Sequence, residues 1–257
     1  MLNLRQEFRT FLRNAADFVF PSECELCGAT TPAEFRMKDG SNSIYCQLCR
    51  DQMAPEIRFA CSLCGAELGP WSKGQGGCVH CRNRTLHFDS VVCLGMYRGL
   101  LKQALLSAKW SITRVNIQSL AELLCERKAE PLQELQSDVI MPVPQHWKQR
   151  LTRHFNPAMI VAQTLSARMH RPLSVNSLRR SRRTMPQKRV PVTQRFSNQE
   201  DAFYVLQRDA IHGKRILLVD DVLTTGATCS EASRILLNEG ATACHVAVIA
   251  RVLDHSA

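Results

Sequence analysis

No apolar run in this 257-residue chain approaches the ~20 residues that a helix needs to cross a bilayer. Membrane insertion is therefore not expected. Residues 2–20 also lack the unbroken apolar core of an export signal. Arg5, Glu7, Arg9, Arg13 and Asp17 interrupt it, while Phe8, Phe11, Leu12 and Ala15 share one helical face. An amphipathic N-terminal helix within 1–22, packing on its own protein, and a cytoplasmic location are the expectations. From Gln145 to Gln199 there is no Asp or Glu, against 12 Lys and Arg. A chain of net charge +10 with such an acid-free block attracts polyanions and accelerates their encounter. Phosphate-rich small ligands and nucleic acid both satisfy it. Nothing announces an acceptor pocket or a general base, so catalytic residues stay unknown.

What is present is cysteine, 12 in all, of which eight form four CxxC pairs. The pairs are Cys24/Cys27, Cys46/Cys49, Cys61/Cys64 and Cys78/Cys81, with 18 residues between the first two and 13 between the last two. Two such knuckles complete a tetrahedral thiolate site, so the spacing predicts two structural Zn²⁺ ions in a double zinc ribbon over 23–88. Pairing in chain order joins Cys24, Cys27, Cys46 and Cys49, then Cys61, Cys64, Cys78 and Cys81; crossed pairing also fits the spacing. A disulfide framework would require an oxidising compartment, for which the sequence offers no export signal. Segments this short bury too little to fold alone, so metal binding supplies much of their folding free energy. Cys93, Cys125, Cys229 and Cys244 lack metal spacing and read as small buried hydrophobes, with Cys229 in the first turn of a helix, where a thiol pKa can be lowered. His80 and His87 read as surface residues.

From about 89 to 257 the pattern becomes an α/β alternation. Strands are expected over 90–96, 139–143, 202–205, 216–219 and 243–250, an extended segment over 173–178, and helices over 100–108, 117–127 and 154–170. Such alternation implies a mostly parallel sheet flanked by helices, with ligands at the carboxyl ends of the strands. The stretch around which the rest is organised is 215–232, RILLVDDVLTTGATCSEA. Ile216–Val219 form a buried strand, Asp220 and Asp221 follow, and Thr224-Thr225-Gly226-Ala227-Thr228 make a turn into a helix that Gly240 ends. Thr228 and Glu231 have the spacing of a capping box, which places the helix start at Thr228. Unpaired amides, the helix dipole and threonine hydroxyls make that turn an anion site, and Gly226 permits a conformation that a Cβ would penalise. Two carboxylates would repel a bare phosphate; they suit a ligand that also offers hydroxyls or a divalent cation, as a sugar phosphate does.

The strand rule places a second phosphate-handling loop after 139–143, where Pro144, Gln145, His146 and Lys148 stand, followed by Arg150 and Arg153. Residues 179–195, RRSRRTMPQKRVPVTQR, are too basic for core and too long for a simple connection. They read as a cationic lid that includes Arg182, Arg183 and Lys188, or as a solvated basic loop. For DNA, the candidates are Lys148, Arg150, Arg153, Arg179, Arg180 and Arg189, with Trp147 and Phe155 as stacking platforms or core.

The string LVDDVLTTGAT resembles the phosphoribosyl pyrophosphate (PRPP) signature of type I phosphoribosyltransferases. Joined to CELCG and the later CxxC pairs, the Lys109 segment, MPVP, RHFN, the 187–198 spacing and Ala202-Phe203, it is similar along nearly the whole chain to the ComF family of competence proteins. His154 stands where that family usually has Gly, and Arg189 where a small residue is common. The resemblance implies PRPP binding with Mg²⁺, the acid pair holding ribose hydroxyls and the turn wrapping the 5′-phosphate. It also implies a DNA-associated role in natural transformation, handling incoming single-stranded DNA beside the uptake machinery. The alternatives are an active phosphoribosyltransferase acting on a nitrogenous acceptor and a PRPP-sensing regulator.

Overall fold

A computed structural model describes residues 23–30, 44–70, 77–110, 114–145, 155–180, 199 and 201–253. The chain divides into two compact units, Met1–Met53 and Ala54–Ala257. The second cysteine quartet therefore lies in the same unit as the sheet. The expected N-terminal helix lies outside the described residues.

In the first unit, the amides of Cys24 and Gly28 close a tight knuckle on the carbonyls of Ala29 and Cys24, each at 2.8 Å. Helix α1, Gln47–Met53, follows. Tyr45, two residues before it, and Met53 at its end are buried.

In the second unit, four parallel strands make the main sheet: β1 (Ser90–Met96), β2 (Val139–Pro142), β5 (Arg215–Leu223) and β6 (Ala243–Arg251), in the order β1-β6-β5-β2. The central position of β5 explains its composition. Ile216 to Val219 are fully buried, as a strand covered on both faces requires. Register pairs Val219 with Pro142 on one side and Ala247 on the other. Helices α2 (Gly99–Trp110), α3 (Val115–Arg127) and α4 (Ala129–Glu134) carry the chain from β1 across to β2. Helix α5 (Pro157–Met169) begins with Asn156 accepting from the Ala158 amide at 3.0 Å and Pro157 in its first turn. It packs on α3, where Arg168 meets Glu122 at 2.5 Å.

The expected strand at 202–205 forms, but away from the main sheet. Strand β4 (Phe203–Val205) pairs antiparallel with β3 (Leu178–Arg180) as a separate two-stranded ribbon. The extended segment before β3 touches the main sheet through one bridge, Ile140 to Leu173. Helix α6 (Ala227–Asn238) links β5 to β6 and ends where Gly240 takes a φ of 95°. The residue pattern does not reveal helix α4; Pro131 lies in its first turn, where proline is tolerated but reads as a break. Among the described residues no helix is long and apolar enough to cross a membrane.

Candidate functional site

The eight paired cysteines gather as two quartets in chain order, Cys24/Cys27/Cys46/Cys49 and Cys61/Cys64/Cys78/Cys81, with the sulfurs of each quartet within 4.8 Å of one another. None is in a disulfide. In the second quartet Cys64 Sγ lies 3.5 Å from Cys78 Sγ, and Cys61 Sγ lies 3.8 Å from Cys81 Sγ. Burial pushes the Cys81 thiol up to about 11 and Cys64 higher still. Four thiolates packed this closely are mutually repulsive without a cation between them, and four sulfur donors are a ligand set for zinc. Each quartet can hold one such ion, and neither leaves an open position for catalysis.

The acid pair sits differently from the sequence reading. Strand β5 does not stop at Val219 but runs on to Leu223, because β6 continues to pair with it through Arg251. Asp220 and Asp221 are thus part of the strand. Each carboxylate accepts from the next backbone amide, Asp220 from Asp221 N at 2.8 Å and Asp221 from Val222 N at 2.9 Å. Burial, then the neighbouring charge of Asp221, pushes the Asp220 carboxyl well above its ordinary range. The guanidinium of Arg180 offsets part of this. On the other side, Tyr97 follows β1; partial burial and the charge of Asp221 raise its phenol.

Strand β2 delivers the next loop to the same level. Val143 N donates to Val219 O at 2.8 Å, so Pro144 and Gln145 leave the sheet beside Asp220. Gln145 Oε1 is buried with no hydrogen-bond partner among the described residues.

The turn after β5 closes the site. Gly226, with a φ of 86°, caps α6, which starts at Ala227 rather than Thr228. The capping box does not form. Glu231 instead accepts from Asp201 N at 2.8 Å and from Arg234, tying α6 to the segment before β4. Thr225 is buried and its hydroxyl accepts from Ala227 N at 3.4 Å, while Thr224 and Thr228 are half-buried. Cys229 lies behind the turn; burial raises its thiol well above the ordinary value, the reverse of the lowering expected at a helix start. The dipole cannot compete with complete removal from water.

Residues 84–88, following the second quartet, cover this turn. Arg84 Nη1 donates to Thr225 O at 3.3 Å. His87 N donates to Ser230 Oγ at 3.1 Å, and Ser230 Oγ donates to Thr85 O at 3.3 Å. A Cβ on Gly226 would meet Leu86 Cδ2 at 3.3 Å. His80 and His87 are half-buried rather than on the open surface.

Of the basic candidates, His146, Lys148, Arg150, Arg153, Arg182, Arg183, Lys188 and Arg189 lie outside the described residues. Arg179 bonds Asn176 Oδ1 at 2.8 Å. Arg180 turns inward: it bonds Gln199 Oε1 at 2.7 Å and stands 5.2 Å from the centroid of the Phe203 ring, with Asp220 as its facing charge. Sequence reasoning missed Tyr97, Arg84 and the inward role of Arg180. Tyr97 directly follows a strand at its carboxyl end, a signal that would have singled it out; the arginines carried none.

Residues 154–256 match the phosphoribosyl transferase domain family. The chain is 29% identical over 195 residues to competence protein F of Haemophilus influenzae, covering 74% of this chain and 84% of that protein. It is 28% identical over 227 residues to the DNA utilization protein YhgH of Escherichia coli K12, covering 81% and 97%. It is 24% identical over 214 residues to competence protein ComFC of Bacillus subtilis, covering 77% and 80%. The chain is a homologue of these competence and DNA utilization proteins, with residues 154–256 similar to the phosphoribosyl transferase domain family.

Proposed function

We propose that this protein binds PRPP and acts on, or beside, single-stranded DNA in DNA uptake or utilization. The observation that carries the PRPP part is the acid pair at the carboxyl end of the central strand, set between the amide-rich turn 224–228 and the start of the loop after β2. Asp220 and Asp221 would accept from the ribose 2′ and 3′ hydroxyls. The amides of Thr225, Gly226, Ala227 and Thr228, with the threonine hydroxyls, would take the 5′-phosphate at the N-terminus of α6. Gln145 Oε1, an acceptor without a partner among the described residues, fits a ligand hydroxyl or the cation bound with the pyrophosphate. Mg²⁺, bound with PRPP, would neutralise phosphate charge that the two carboxylates otherwise repel. Structural Zn²⁺ would be held by the two cysteine quartets. The DNA part rests on the similarity to competence and DNA utilization proteins and on the acid-free basic block 145–199.

Calorimetric titration of PRPP with Mg²⁺ into the zinc-loaded chain tests the first part. Wild type is expected to bind, and the double variant Asp220→Asn/Asp221→Asn to bind at least ~100-fold more weakly. Each carboxylate removed takes away a charge-assisted hydrogen bond of roughly 1.5–3 kcal/mol. No binding by folded wild type would overturn the reading. For DNA, the logarithm of single-strand affinity should fall linearly with the logarithm of salt, with a slope of about −0.7 per phosphate contacted. A flat dependence would confine the basic block to phosphorylated small ligands.

A further inference from the structure

We infer that Arg251 is a positioning residue that ties the second cysteine quartet to the 224–228 turn, so that metal in the quartet and ligand in the turn strengthen one another. The inference rests on the PRPP reading for the identity of the ligand, not for the tie.

Arg251 ends β6 opposite Leu223 and is only 2% exposed. Its Nε donates to Cys64 O at 2.8 Å, on the quartet. Its Nη1 donates to Leu223 O at 3.2 Å and also to the carbonyls of Thr224 and Val252. One guanidinium thus spans from a metal-ligand residue to the first residue of the turn. The planar fork fixes both ends at once, which a lysine ammonium cannot do.

Charge gives the tie a direction. Among the described residues Arg251 has no carboxylate partner; its acceptors are all carbonyls. A buried cation without a counter-charge is costly. The compensating charge would come from the quartet, whose Cys64 residue is the one that Arg251 Nε holds. Four thiolates around one dication leave a net negative site beside the guanidinium. Loss of the metal would release the 61–64 knuckle that fixes the Cys64 carbonyl, and with it the hold of Arg251 on Thr224. The far side of the turn is tied to residues 84–88, just after Cys81, by Ser230, which accepts from His87 N and donates to Thr85 O, and by Arg84 on Thr225 O. Coupling of two sites is reciprocal, so ligand in the turn must also retain the metal.

The test compares zinc-loaded wild type, R251K and S230A by amide hydrogen exchange, PRPP–Mg²⁺ titration and release of zinc to a chelator. In R251K the amides of 61–66 and 224–228 are expected to exchange at least tenfold faster together, while 216–219 stay protected. PRPP affinity should fall by tenfold or more. Saturating PRPP should slow release of one of two zinc equivalents about fivefold in wild type and not in R251K. S230A should move the same amides less. Unchanged exchange at 224–228, or equal acceleration at 216–219, would overturn the inference, the latter because it reports global destabilisation. If R251K does not fold, S230A decides on the same pattern. Linked exchange of 61–66 and 224–228 in a wild type that binds no PRPP would sustain the tie and defeat the ligand reading; PRPP binding with no link would do the opposite.

Discussion

Replacing Cys61 by Ser is expected to lower the melting temperature of the Ala54–Ala257 unit by ~10 °C or more, because the second quartet is built into that unit. The four cysteines are buried and form a cluster with Ala66, Leu63, Leu68, Leu86 and Leu253. Three links tie them to the sheet: Val91 N donates to Ser62 O at 3.0 Å, Cys93 Sγ to Gly65 O at 3.4 Å, and Arg251 Nε to Cys64 O at 2.8 Å. Gly65 is so close to β1 that a Cβ there would meet Val91 Cγ1 at 2.9 Å. Zinc in isolated four-ligand modules contributes roughly 10–16 kcal/mol to folding. If only about 5 kcal/mol of that reaches the larger unit, the shift is ~10 °C or more at ~2–4 °C per kcal/mol. Differential scanning calorimetry with zinc quantification checks it, beside Cys24→Ser, whose effect should fall on the Met1–Met53 unit. A Cys61→Ser protein that loses one zinc equivalent yet melts as wild type would show the quartet to be an appendage rather than part of the core.

The second large effect runs against intuition. Asp220→Asn is expected to stabilise the ligand-free protein while costing it ligand. Burial, followed by the charge of Asp221, raises the folded-state pKa of Asp220. The native state then holds a proton that the unfolded chain, with a carboxyl near pKa 3.9, has released. Stability contributed by that proton is present at low pH and is lost as pH climbs from about 4 through the folded value. At neutral pH, above the unfolded value, the raised Asp220 carboxyl therefore works against the fold, and asparagine removes the penalty while still accepting from Asp221 N. The opposing loss is the attraction to Arg180, which ranks below both burial and Asp221 among the influences on Asp220, and Arg180 keeps Gln199 and the Phe203 ring. A gain of about 1 kcal/mol, ~2–4 °C, is expected at pH 7, shrinking toward pH 4, with PRPP affinity reduced. Melting curves of both proteins between pH 4 and 8 decide it. A variant less stable than wild type across that range would show that the carboxylate is already paired in the free protein. The expected pattern is that of a site whose charges await a ligand rather than serve the fold.

Much of this architecture was legible from residue patterns because the underlying physics is local. The apolar runs SVVCLGM, VIMP and ACHVAVIA have to be strands buried on both faces, and the structure places them so. CxxC spacing is set by the geometry of one metal, so the eight ligands were legible, whereas their pairing in chain order rather than crossed came from the fold. The signature turn carried its own glycine at the one position where φ is positive. What stayed hidden depends on partners distant in sequence. Asp220 and Asp221 look like turn residues in isolation; β6, more than 20 positions later, holds them in strand pairing. Glu231 has the spacing of a cap but meets Asp201 and Arg234, because the chain before β4 arrives there. Arg180 and Arg251 are two basic residues among 33 and carry no local mark. Their roles beside Asp220 and between Cys64 and Thr224 arise from burial and from which carbonyls and charges the fold brings within reach, and that is a property of packing rather than of any stretch of sequence.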